Sequence, residues 1–148
     1  MSMKPWTDTL PYEHATAGEG AKKEAAVFID RYGGKLVGFN VDYAGNFHTV
    51  EFIHSGYLLR IGFEAFGFAT KLQRSGTAQL EAMERARTAV WSMIRDQVKS
   101  ALAPVFTEAL PITVACLGYI VGPDDRTMGE RASAGDVIAL PPPNYDRR

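Results

Sequence analysis

The sequence lacks the patterns that identify a disulfide-stabilised, secreted or membrane protein. Its one cysteine, Cys116, excludes an intramolecular disulfide and is typical of a reducing cytoplasm. The apolar run at 109–121 is shorter than the roughly 20 residues that a membrane span needs. The first residues contain no apolar stretch of the kind that secretory signals have. We therefore expect a cytoplasmic protein without membrane contact.

An excess of charge of one sign is also lacking. The 148 residues include 16 basic and 17 acidic side chains, with a formal net charge of −1. No overall positive field exists to attract nucleic acid or anionic lipid, so such binding would need a local basic patch.

Catalytic signatures are absent as well. The sequence contains no P-loop, no His-Glu-x-x-His, no Cys-x-x-Cys and no Gly-x-Ser-x-Gly pattern. A buried, inert thiol is favoured over a nucleophile for Cys116, because it lies in the apolar run. The sequence therefore predicts no cofactor and favours a binding protein over an enzyme.

Three pairs of turn residues divide the first half of the chain into short β-rich segments. They are Gly-Gly at 33–34, Gly-Asn at 45–46 and Ser-Gly at 55–56, which tight hairpins favour or tolerate. Residues 24–66 are therefore predicted to form a four-stranded antiparallel meander. Two-residue turns would place one apolar set on a single face of that sheet: Ala26, Phe28, Phe39, Val41, Val50, Phe52, Leu59, Ile61 and Phe63.

A long amphipathic helix is predicted from 77 to 103, because apolar residues recur there at helical spacing. Thr77 is expected to cap its start and Pro104 to end it. Shorter helices are predicted at 107–118 and 127–134. The expected fold is thus α+β, with a four-stranded antiparallel meander packed on one long helix and a small helical C-terminal segment.

The chain is predicted to contain a single domain. Residues 1–23, rich in Pro, Gly, Thr and charge, are expected to form an irregular N-terminal arm. Residues 24–139 are expected to form the α+β domain. Residues 140–148 begin with Leu-Pro-Pro-Pro, which disfavours both helix and central strand, so they are expected to form a Pro-rich tail.

Basic residues interleaved with an aromatic give the best candidate site. Arg31, Tyr32 and Lys35 surround the first predicted turn, and Lys71 and Arg74 precede the long helix. Such residues contact phosphates and stack on bases when a protein binds single-stranded nucleic acid. These five residues are our predicted contacts to single-stranded DNA or RNA, with a solvated basic rim as the alternative.

Carboxylates on the outer face of the sheet raise a second hypothesis, a metal-dependent hydrolase. Asp42 and Glu51 are predicted on neighbouring strands, with Glu64 further along, and paired carboxylates hold Mg²⁺ or act in acid–base catalysis. An ordinary lattice of surface ion pairs is the alternative. His48 and His54 are predicted at the two ends of one strand, too far apart to share a metal.

Aliphatic residues on the same outer face raise a third hypothesis, a protein-binding module. The module would be a homodimer or an inhibitor of a host enzyme, because a fully solvated face would carry fewer aliphatic residues. The residues concerned are Val27, Ile29, Leu36, Ile53 and Leu58.

The predicted order of strands and helix resembles one known family. Four antiparallel strands followed by a helix, over residues 24–103, resemble the positive-cofactor type of single-stranded-DNA-binding transcriptional coactivators. Members of that family dimerise and bind DNA across their sheets. The resemblance is one of topology and assigns no binding residue in this chain.

Three stretches of the second half are similar to a family of small uncharacterised bacteriophage and prophage proteins. They are Ala-Val-Trp-Ser-Met-Ile-Arg-Asp-Gln-Val-Lys-Ser-Ala-Leu at 89–102, Asp-Arg-Thr-Met-Gly-Glu at 125–130 and Leu-Pro-Pro-Pro at 140–143. That family has a Trp-bearing helix, a Gly-Arg-Thr-hydrophobic-Gly-Glu turn and a Pro-rich end. Asp125 stands where the family has glycine. The resemblance implies a phage or prophage accessory protein and brings no established activity.

Overall fold

The structure, a computed structural model, describes residues 10–16 and 18–145. The predicted arm and tail therefore fall partly outside the described residues. The elements are α1 (Gly18–Arg31), β1 (Lys35–Val41), β2 (Phe47–His54), β3 (Tyr57–Glu64), α2 (Phe66–Arg74), α3 (Gln79–Phe106), α4 (Ile112–Ala115), a short 3-10 helix (Leu117–Tyr119) and α5 (Met128–Ser133). The fold is α+β, with an antiparallel sheet and one long helix.

The sheet has three strands among the described residues, in the order β1-β2-β3, so the prediction of a fourth was wrong. The segment predicted as the first strand lies in α1, which also includes the last six residues of the predicted arm. Ala21, Ala25 and Ile29 recur every four residues and are fully buried, which is helical spacing. The glycine pair ends this helix rather than joining two strands. Gly33 has a φ of +90°, and the Gly34 amide donates to the Ile29 carbonyl at 2.8 Å, as in a Schellman motif.

The strand pairing was predicted correctly on one side of β2. Val50 lies opposite Ile61 and Phe52 opposite Leu59, joined by the two-residue Ser-Gly turn. Phe39, however, lies opposite Val50 rather than Phe52, so the β1–β2 register differs from the prediction by two residues. Because side chains alternate with a period of two, this shift leaves Phe39 packed against the core, whereas Val41, at the end of the strand, is 42% exposed.

The Gly-Asn pair at 45–46 belongs to a longer loop, which is the reason for the shifted register. The Asn46 side-chain oxygen accepts hydrogen bonds from the amides of Ala65 (3.0 Å) and Phe66 (2.8 Å). These amides begin α2 and have no partner inside that helix. Asn46 therefore caps α2 and fixes the loop between β1 and β2 against it.

Helix α3 is the centre of the fold, with Val90, Ile94 and Val98 fully buried against the sheet and the other helices. It runs parallel to α1, because Lys22 near the start of α1 contacts Trp91 near the middle of α3, and Tyr32 just after α1 contacts Phe106 at the end of α3. Their C-terminal ends therefore meet.

Both predicted ends of the long helix need correction. Its first residue is Gln79, because Gly76, with a φ of +99°, ends α2 just before it and Ala78 takes the cap position instead of Thr77. Its last residue is Phe106, so Pro104 lies inside the helix. A proline in the final turn removes a single backbone hydrogen bond, which the helix end tolerates better than its middle would.

The C-terminal segment covers one edge of the sheet. The Val121 amide donates to the Leu58 carbonyl at 2.9 Å, which places this segment alongside β3. The helix predicted at 107–118 is broken into α4 and the 3-10 helix, with Pro111 before the first. The helix predicted at 127–134 is confirmed as α5, which starts with a capping box between Thr127 and Glu130.

Candidate nucleic-acid interface

Three aromatic side chains form a row where the C-terminal ends of α1 and α3 meet. Phe28 and Tyr32 are one helical turn apart, and their rings are parallel within 6° with centroids 6.1 Å apart. The Tyr32 and Phe106 centroids are 5.2 Å apart, with the planes tilted by 44°. Phe106 is 58% exposed, so the row leads from the partly buried Phe28 to a ring in solvent. We call Phe28, Tyr32 and Phe106 the aromatic row.

One cation contacts the aromatic row, and two more lie close to it along the chain. Arg31 ends α1 and Lys35 begins β1, and both are exposed. The Lys99 ammonium lies 5.5 Å from the centre of the Phe28 ring, a cation–π distance. Asp30 and Glu108 flank the same helix ends, so phosphate contacts here depend on individual side chains rather than on a strong local field.

The structure divides the five predicted contacts into two groups. Arg31, Tyr32 and Lys35 lie together beside the C-terminal end of α3. Lys71 and Arg74 are exposed in the last turn of α2, which is joined to the N-terminal end of α3 by a short loop. With 28 residues in α3, the two groups are separated by about 40 Å along the helix axis.

A cleft of about 430 Å³ opens next to the first group. Its size falls in the range of small-molecule sites, and it adjoins the aromatic row because the Tyr32 carbonyl accepts a hydrogen bond from the His54 ring at 2.9 Å. Both glycines of the α1–β1 turn contribute to its wall. Its lining residues are Gly33, Gly34, Lys35, Ile53, His54, Ser55 and Tyr145.

The outer-face carboxylates have structural partners. An Asp42 carboxylate oxygen accepts from the Asn46 amide at 2.8 Å within the loop. Glu51 lies opposite Arg60, as predicted, and Arg60 also forms an ion pair with Asp125 at 2.7 Å. Asp42 was predicted on a strand next to that of Glu51, but it lies in the loop just after β1, which ends at Val41.

No cluster of three or more His, Cys, Asp or Glu side chains with metal-binding geometry occurs in residues 10–16 and 18–145. His48 and His54 occupy opposite ends of β2, in agreement with the predicted separation. The metal-dependent hydrolase stays a prediction.

Two buried titratable groups have shifted pKa values. Burial lowers the pKa of His48, helped by the nearby cations of Arg87 and Lys22 and opposed by its hydrogen bond to the Asn46 carbonyl. Burial raises the pKa of Cys116 to about 11, so its thiol stays protonated at neutral pH. The prediction that Cys116 is buried is confirmed.

Comparisons of the chain with protein-family models, with curated proteins and with solved structures found no match. The two resemblances noted in the sequence therefore stay predictions. Among the described helices, none combines the length and apolar character that crossing a membrane requires.

Proposed function

We propose that this chain is a phage or prophage accessory protein that binds single-stranded DNA or RNA at the joined ends of α1 and α3. The observation that carries the proposal is the aromatic row with Lys99 on the Phe28 ring, and with Arg31 and Lys35 close by in the chain. Ring faces stack on bases of any sequence, and the cations between them contact the backbone phosphates. This combination supports a binding role for the site.

Phe106 provides the stacking surface in this proposal, because it is the most exposed member of the row. The Tyr32 ring packs against the Phe106 ring, and the Phe28 ring stacks on the Tyr32 ring. Lys35 lines the cleft, so its ammonium can pair with a phosphate while the neighbouring nucleotide occupies the cleft. The site thus combines base stacking with phosphate neutralisation over a short distance.

Lys71 and Arg74 form a second contact in the proposal. A strand stacked with the 3.4 Å rise of a duplex strand needs roughly 12 nucleotides to span about 40 Å, and a more extended strand needs fewer. A short oligonucleotide would therefore use the aromatic row alone, whereas a longer strand would also reach the end of α2.

The test is a fluorescence-anisotropy titration with single-stranded DNA and RNA, at about 50 and about 200 mM salt. We expect affinity to fall steeply between the two salt concentrations. Lys35→Glu should weaken binding of oligomers of about 6 and about 20 nucleotides, whereas Lys71→Glu should weaken only the longer one. Binding that ignores salt, or that both variants leave unchanged, would overturn the proposal.

The open edge of β1 favours a second candidate function, a protein-binding module. In the described part of the chain β1 pairs with β2 alone. Three of its apolar side chains are exposed, Leu36 (38%), Val37 (56%) and Val41 (42%). An unpaired edge of this kind accepts another strand, and the same strand of a second copy would give a symmetric homodimer. A host protein with an exposed strand is the other partner that the edge would fit.

Light scattering tests the homodimer. A dimer that becomes a monomer in Val41→Lys, while Val137→Lys (79% exposed, outside the sheet) stays dimeric, would support it. A wild-type monomer at high concentration would exclude the homodimer.

A further inference from the structure

The turn between β2 and β3 places a serine hydroxyl against an imidazole. The Ser55 Oγ lies 2.7 Å from His54 Nδ1, and His54 Nε2 lies 2.9 Å from the backbone carbonyl of Tyr32. Two hydrogen bonds thus connect three groups in series: the Ser55 hydroxyl, the His54 ring and the Tyr32 carbonyl.

The hydrogen bonds assign the proton positions. A carbonyl oxygen only accepts, so His54 Nε2 carries the hydrogen and donates it to Tyr32. In the neutral ring, Nδ1 is then an acceptor, and the Ser55 hydroxyl must donate to it. This is the arrangement in which a general base prepares a nucleophile, with a third group holding the base in the required tautomer.

The burial of His54 and the exposure of Ser55 fit the roles of base and nucleophile. His54 is 9% exposed and its ring is held at both nitrogens, whereas Ser55 is exposed. Ser55 also has a φ of +53°, a left-handed conformation that is strained for a residue with a side chain. Both residues line the 430 Å³ cleft, with the Lys35 side chain at the same wall.

We propose that Ser55 and His54 form a nucleophilic dyad that hydrolyses small carboxylic esters bound in this cleft. Ser55 Oγ attacks the ester carbonyl carbon, and its proton passes to His54 Nδ1 as the new acyl–oxygen bond forms. The bond to the leaving alcohol then breaks, and that alcohol takes the proton from His54. Water attacks the acyl-Ser55 in the same way, with its proton passing through His54 to Ser55 Oγ, which releases the acid. The cation of Lys35 favours an ester that carries a negative group.

The ester would occupy the same cleft as the nucleotide proposed above, so the test uses the whole chain without nucleic acid. Phenylmethylsulfonyl fluoride should modify Ser55, because Oγ displaces fluoride and the proton leaves through His54; mass spectrometry of peptides locates the adduct. Ser75 is the matched control, since it is also exposed but its hydroxyl donates to the Lys71 carbonyl instead of to a base. We expect an adduct at Ser55 and none at Ser75.

Hydrolysis of p-nitrophenyl acetate provides the second readout. Ser55→Asn keeps a residue that tolerates the left-handed turn, and it should lower the rate by about a hundredfold. His54→Gln retains a donor for the Tyr32 carbonyl and should abolish the adduct. Equal labelling of Ser55 and Ser75, no adduct at Ser55, or wild-type rates in folded Ser55→Asn would each overturn the proposal.

Discussion

At the scale of single residues, the β2–β3 pairing leaves no room for a side chain at Gly62. A Cβ at this position would lie 2.6 Å from the Thr49 methyl group and 2.7 Å from the Phe47 ring. We predict that Gly62→Ala lowers the free energy of unfolding by about 1–3 kcal/mol, because neighbouring side chains must move to accommodate it. Urea denaturation at constant pH measures the difference.

Gly38 is the matched control for this variant, because it also lies within a strand and a Cβ there would meet nothing within 4 Å. Gly38→Ala should leave stability unchanged or raise it by about 0.5 kcal/mol, since alanine restricts the unfolded chain. Equal losses in the two variants would show that crowding at Gly62 does not determine the effect.

His48 gives the protein a pH dependence of stability. Its ring is 1% exposed and contacts Trp91 edge-on, with centroids 4.9 Å apart. Because burial lowers its pKa in the folded state, the unfolded chain binds the proton more readily below its ordinary pKa of about 6.5. The folded state is therefore favoured above that pH and loses stability as the pH falls through and below it.

Urea denaturation at about pH 7 and about pH 5.5, on either side of the ordinary histidine pKa, tests this account. We expect the wild type to be less stable at the lower pH and His48→Gln to show a smaller difference between the two. His14→Gln, which removes an 82% exposed side chain, is the control. A His48→Gln variant with the full wild-type pH dependence would contradict the assignment.

At the scale of elements, the end of α3 contains a strained residue. Glu108 has a φ of +61°, and the Ala109 amide behind it donates to the Pro104 carbonyl at 2.8 Å. This is the Schellman arrangement that ends α1 as well, but a glutamate takes the glycine position. We predict that Glu108→Gly raises the free energy of unfolding by about 0.5–1 kcal/mol.

The control is Glu81→Gly in the first turn of α3, where the conformation is helical and the side chain exposed. Glycine there should lower the free energy of unfolding by up to about 1 kcal/mol. Thermal denaturation of both variants gives the comparison, and effects of the same sign would refute the strain at Glu108.

The elements also show what sequence patterns could and could not reveal. The β2–β3 hairpin was predictable, because strict alternation and a Ser-Gly turn agree on one register. The run at 24–33 was not, because a short apolar segment fits a strand or a buried helix, and Gly33 serves equally in a turn or a helix end. The capping role of Asn46 was not predictable either, because the amides that it binds, those of Ala65 and Phe66, lie 19 and 20 residues away. Its immediate neighbours indicate only a turn residue.

The candidate site was predictable in part for the same reason. Arg31, Tyr32 and Lys35 are close in sequence, so their grouping could be read directly. Lys99 and Phe106 join them through the parallel packing of α1 and α3, which no local pattern encodes. The four-residue spacing of Phe28 and Tyr32 would have indicated the aromatic row if this segment had been read as a helix.

At the scale of the whole molecule, α3 separates two basic ends of a chain with a formal net charge of −1. The C-terminal end of α3 carries the aromatic row. The N-terminal end of α3 lies near Lys71 and Arg74, and it also carries Leu80, which is 82% exposed. The proposed binding of nucleic acid therefore depends on base stacking at the aromatic end, since the overall charge attracts no nucleic acid.

The most direct measurement is the affinity of wild type, Phe106→Ala and Leu80→Ala for a labelled single strand of about 12 nucleotides at about 50 mM salt. We predict binding by the wild type, a loss of about tenfold in Phe106→Ala because a stacked base is worth about 1–3 kcal/mol, and no change in Leu80→Ala. Absence of wild-type binding, or equal affinity in all three proteins, would contradict the account.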